Sequence, residues 1–114
     1  MATVRTLDAL EGTPHANVFP GSEPTTIRLQ LAAGERIDPH DHPDRNVVVS
    51  VLEGAIDLRL GSEVYELEAG DVARFDGAQQ VSPVATADST ALIVLAKKPE
   101  WSDGAEAGGD ESST

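Results

Sequence analysis

The sequence predicts an all-β fold, an antiparallel sandwich or barrel, on three observations. Apolar and polar residues alternate in one segment after another, the period-two pattern of strands with one buried face. Glycine turn signals recur at short intervals, at Ala33-Gly34, Glu53-Gly54, Gly61-Ser62, Ala69-Gly70 and Asp76-Gly77, as many short strands require. No window carries a 3.6-residue apolar period, so nothing argues for a helix.

Taken in order, Thr3 to Leu7 and His15 to Phe19 can each form a strand. Ile27, Leu29 and Leu31 alternate with Thr26, Arg28 and Gln30, which predicts a half-buried strand. Residues 46–52 form a β-branched run ending at the Glu53-Gly54 turn. Without a bulge, Val47, Val49 and Val51 share one face and Asn46, Val48 and Ser50 the other. Ile56, Leu58 and Leu60 alternate with Asp57 and Arg59, Val64 begins another short strand, and Val72 to Phe75 form a further one. Ala91 to Ala96 is almost wholly apolar and predicts a last strand buried on both faces. Residues 1–101 read as one domain. Residues 102–114 hold no large apolar side chain, so nothing offsets the entropy of ordering them, and they read as a disordered acidic tail.

Composition narrows the function. The 114-residue chain has the size of one domain. It carries 20 acidic against 8 basic residues, a formal charge of −12. Phosphate neutralisation needs clustered Lys and Arg, whereas here the arginines are scattered and the two lysines adjoin at Lys97-Lys98; nucleic acid is excluded as a partner. The lack of cysteine excludes disulfides and thiolate chemistry. The start has no basic region followed by an apolar core, and no apolar run reaches spanning length, which gives a soluble, cytoplasmic reading with no membrane partner. The acidic, lysine-poor, alanine- and valine-rich composition reads as halophilic, because in molar salt the Debye length falls to about 3 Å and screens such a surface. An exposed edge strand invites pairing with a second copy, so a homodimer is expected.

The chemistry is concentrated in Pro39-His40-Asp41-His42-Pro43. In an extended segment, side chains two apart point the same way, so His40 and His42 converge on one cation while Asp41 points away. Neutral imidazole is the commonest side-chain ligand for zinc, iron, copper or nickel. Asp38 and Asp44 flank the pair, either as acceptors that hold an imidazole tautomer or as solvated loop acids. No nucleophile elbow, P-loop or dinucleotide fingerprint is present, and no catalytic set stands out.

Gly34, His40, His42 and Gly54 stand at the spacing of the first motif of the cupin superfamily, which this stretch resembles. The glutamate of that motif falls on Val47 or, with a shorter gap, on Asn46. Gly70 and Gly77 resemble the second motif, whose histidine falls on Gln80 or Val81. The resemblance covers roughly residues 25–97 and implies an antiparallel cupin-type β-barrel, a double-stranded β-helix or jelly roll. It also implies a divalent transition metal (zinc, iron, nickel or manganese) on His40 and His42. Gln80 is the best third ligand, through its carbonyl oxygen, with Asn46 and His15 as alternatives. By the family spacing the inward face carries Val47, Val49 and Val51, joined by Ile56, Leu58, Val72 and Phe75. These either line a small-molecule cavity or, as expected for most of them, fill the core of a small barrel. Two functions fit the resemblance. One is a metal-dependent enzyme of dioxygenase or isomerase type acting on a small organic molecule. The other is a non-catalytic small-molecule-binding or regulatory cupin.

Overall fold

Strand alternation sorts the apolar side chains onto the facing sides of two antiparallel sheets. The computed structural model describes residues 1–99, so the expected tail, residues 102–114, and the last residues of the expected domain lie outside the described residues. The strands are β1 His15–Asn17, β2 Thr25–Leu31, β3 Arg45–Glu53, β4 Ala55–Leu60, β5 Glu63–Glu68, β6 Val72–Asp76, β7 Val81–Ala85 and β8 Ser89–Lys97. One sheet runs β1-β2-β8-β3-β6 and the other β5-β4-β7. The predicted all-β jelly-roll barrel is the observed architecture. No helix among the described residues is long and apolar enough to cross a membrane.

Register assigns the faces. Leu29 pairs with Ala91 and Ile27 with Ile93; Val47 pairs with Leu95 on one side and with Phe75 on the other. These residues, with Ile56 and Leu58 from β4, form the buried interior. Val72 does not join them. It lies an odd number of residues from Phe75, so the pleat turns it outward, and it is 64% exposed. Nor is β8 fully buried on both faces. Ala91 and Leu95 are buried inward, while Leu92 and Val94 on the outer face are only partly covered.

Two further expectations change. Thr3 to Leu7 forms no strand; a short 3-10 turn, Leu7–Ala9, follows instead. Conversely, β7 had no strand signal, because Pro83 interrupts Val81-Ser82-Pro83-Val84-Ala85. The N–H groups of Val81 and Ala85 donate to the carbonyls of His40 and Glu35. Pro83 faces the same side, where only its carbonyl is used, accepting from the Ile37 N–H at 3.0 Å. The missing donor is therefore not needed.

Arg28 fixes the N-terminal arm to the back of the larger sheet. It lies on the outer face, opposite Ala16 of β1, yet is 2% exposed. Its Nη1 donates to the Leu7 carbonyl and, at 3.3 Å, to that of Leu10, and its Nη2 donates to the Gly12 carbonyl at 2.9 Å. Among the described residues no carboxylate pairs with it, so main-chain dipoles alone solvate the buried charge. Gly12, at φ 111°, and the bond from the Gln30 N–H to the Pro14 carbonyl at 2.8 Å then lead the chain into β1. Replacing Arg28 with Met removes three charge-assisted bonds, so Arg28→Met is expected to lower unfolding free energy by about 2–3 kcal/mol. The change should read as a lower urea midpoint at unchanged slope.

Candidate functional site

Segment 34–42 is held against β7 as an irregular extra strand. The Gly34 N–H donates to Ala85, His40 and Val81 exchange both backbone bonds at 3.1 and 2.8 Å, and the His42 N–H donates to the Gly77 carbonyl at 2.7 Å. The Gly77 N–H in turn donates to the Arg45 carbonyl at 2.9 Å. A Cβ at Gly77 would collide with the His42 carbonyl oxygen and stand 2.7 Å from that of Arg45. Only glycine lets the chain leaving β6 pass this close to the histidine loop.

The buried cluster between the two sheets borders an opening. Between them lies a cavity of about 620 Å³ lined by Leu29, Val47, Val49, Ile56, Leu58, Phe75 and further apolar side chains. As expected, most of these residues fill the barrel core: Val47, Val49, Val51, Ile56, Leu58 and Phe75 are each no more than 5% exposed and pack in one cluster. The imidazoles of the lining come from His40 and His42 of one segment and from His15 of β1; Arg36 borders the cavity too, but it is bridged to Val84, which alternates with inward Pro83, so its side chain starts on the outer face. All three histidines of the chain thus border one cavity.

His15 reaches it by register. It pairs with Leu29, an inward residue, so its own side chain is on the inward face. The His40 and His42 rings stand edge to face, with centroids 4.9 Å apart, as alternation in an extended segment predicts. His40 Nδ1 lies 2.9 Å from the Asp38 carbonyl oxygen. A carbonyl only accepts, so this bond assigns the proton to Nδ1 and leaves the Nε2 lone pair free. Asp38 thus holds the tautomer through its backbone, while its carboxylate reaches Arg36 at 3.8 Å. Desolvation lowers the His15 pKa, with a smaller contribution from His40. Desolvation also leads the lowering at His42, followed by His40; Asp41 opposes it.

The other sequence candidates do not join the pair. Gln80 is exposed and outside the cavity lining; its main-chain carbonyl accepts from the Gly61 N–H at 2.9 Å, and the next residue, Val81, takes the lining position. Asn46 alternates with inward Val47 and so faces outward. Asp44 is exposed. The positions where the motifs carry a glutamate and a second-motif histidine thus present valines to the cavity. Among the described residues no group of three or more His, Cys, Asp or Glu side chains is arranged to hold a metal ion. The donor set fits a two-imidazole contact and not a four-ligand centre.

The profile of the cupin domain family matches residues 27–96. Solved structures with similar folds include KdgF from a Halomonas species, at 20% identity and a TM-score of 0.65 over 75% of this chain and 79% of that one. An RmlC-like cupin from Shewanella frigidimarina matches at 15% identity and a TM-score of 0.71, over 88% and 95%. A predicted oxalate decarboxylase from Thermotoga maritima matches at 20% identity and 0.66, over 74% and 79%. No curated protein matches the chain.

Two predictions come from this geometry. Gly77→Ala sets a methyl group against main-chain atoms, so it should cost about 1–3 kcal/mol and move the His40 and His42 ring resonances by nuclear magnetic resonance. Lowered histidine pKa values also carry a pH signature. Above about pH 6.5 the imidazoles are neutral in both states and contribute nothing; below it the unfolded chain takes up protons that folded His15 and His42 resist. Melting temperature should therefore fall as pH drops from about 6.5 toward 5.5, and fall less in a His15→Asn, His42→Asn double variant.

Proposed function

This chain belongs to the cupin domain family, and on that premise we propose that it binds a small organic molecule inside the barrel. The observation that carries this reading is the cavity, about 620 Å³ of apolar-lined space that His15, His40 and His42 also line. Ligand pockets run from about 300 to 1,000 Å³, mostly apolar with a few orienting polar groups. Leu29, Ile56, Leu58 and Phe75 would take the apolar body of the ligand, and the imidazole border would orient its polar end.

The Nε2 lone pair of His40 favours a second reading, in which His40 and His42 contact a divalent transition metal, zinc, iron, nickel or manganese. When bound, such an ion would supply Lewis acidity at the cavity. An enzyme of dioxygenase or isomerase type would belong to this second reading. The apolar residues at the remaining ligand positions instead support a binding or regulatory role, which we take as the function.

The test uses the full chain. A neutral apolar fluorophore such as Nile red should bind saturably, and Val49→Phe, which fills the cavity, should weaken it about ten-fold or more. Unchanged binding in a folded Val49→Phe protein would overturn the cavity reading. Nickel titrated into metal-free protein addresses the second reading, which requires binding that His40→Ala abolishes.

A further inference from the structure

One acceptor at the cavity stands without a partner. His40 and Val81 are directly opposite in an antiparallel bridge, so their side chains share a face, and Val81 is 6% exposed and lines the cavity. The His40 imidazole therefore stands on the inward side of segment 34–42. Its Nδ1 proton is committed to the Asp38 carbonyl at 2.9 Å. Nε2 lies at the distal edge of the ring, and among the described residues no donor reaches it. A neutral imidazole fixed in this way has an acceptor to offer a ligand and no donor. The nearby charges do not serve the cavity, since Arg36 starts on the outer face opposite Val84 and the Asp38 carboxylate is 89% exposed. Desolvation holds His15 and His42 below the ordinary imidazole pKa, so at neutral pH they add dipoles without charge.

We infer that the ligand of this cavity is a neutral hydroxyl compound with an apolar body, a phenol or alcohol that donates its O–H to His40 Nε2. The inference rests on the proposed small-molecule role and names the ligand class. A bare hydrocarbon would leave the acceptor desolvated and unpaired, and a carboxylate has no proton to give it; each costs binding. A single hydroxyl satisfies Nε2. The body of the molecule then lies against Val47, Val49, Leu58 and Phe75, whose side chains carry no polar atom. A polyol would bury further hydroxyls against those walls without partners.

Displacement of Nile red from the full chain compares 2-naphthol with 2-methoxynaphthalene, which keeps the rings and the oxygen but has no proton to donate. The titration is run at about pH 7.5, between the usual imidazole and phenol pKa values of about 6.5 and 10, with a chelator to keep metal from the same lone pair. 2-Naphthol should displace the dye at about five-fold lower concentration. His40→Phe, a ring without an acceptor, should bring that ratio to one or below, while Arg59→Gln, exposed on β4 and away from the cavity, should keep it. In the unmutated protein the nitrogen-15 resonance of His40 Nε2 should move upfield with 2-naphthol and stay in place with the ether, a reading that needs no variant. Equal displacement by the two compounds or by neither, a preference that survives in folded His40→Phe, or an Nε2 resonance that 2-naphthol leaves in place would overturn the inference while the cavity role stands. Absence of saturable Nile red binding would remove the cavity role and the inference with it.

Discussion

The histidine pair depends on a contact between two stretches of main chain with no room for a side chain. At Gly77 the polypeptide leaves β6 of the larger sheet for β7 of the smaller one, and at 42–45 it crosses in the opposite sense into β3. Both crossings occupy one corner, tied by the bonds from His42 to Gly77 and from Gly77 to Arg45. From that corner β7 runs back along segment 34–42, so the backbone of His40 is set by Val81 and not by its own loop. A flexible loop of aspartates and prolines would spread its imidazoles over many orientations. Bonded into a sheet, it presents them to one space.

Much of the fold was legible because it follows from alternation. β2, β3, β4, β6 and β8 declare an inward face in the local sequence, and register carries that face across the sheet. β7 escaped because Pro83 is a strand breaker unless its missing donor faces an irregular partner, which is a fact about segment 34–40 and not about residues 81–85. Val72 was misplaced by grouping it with Phe75 across an odd spacing.

The site was legible in its local half only. Convergence of His40 and His42 needs nothing beyond an extended backbone. The part played by His15 depends on pairing β1 with residues fourteen positions away at Leu29, which no short window contains. Alternation tells which side chains face inward, but not whether those from opposite walls meet, so the cavity could not be read from it. Gln80 lies apart from the pair for the converse reason, since one step along the chain exchanges an exposed position for the lining position of Val81.

Arg28 links two places that share no side-chain contact. Its guanidinium grips residues 7–12 on the back of the larger sheet, and the same arm continues into β1, which carries His15 on the front. Thermodynamic linkage makes such a connection reciprocal. Whatever peels the arm from Arg28 would weaken the grip of the border on a bound molecule, and occupancy of the cavity would tighten the arm by the same free energy. The first dozen residues, irregular apart from one short turn, would then serve as a handle by which a partner outside the barrel could sense or set what the barrel holds.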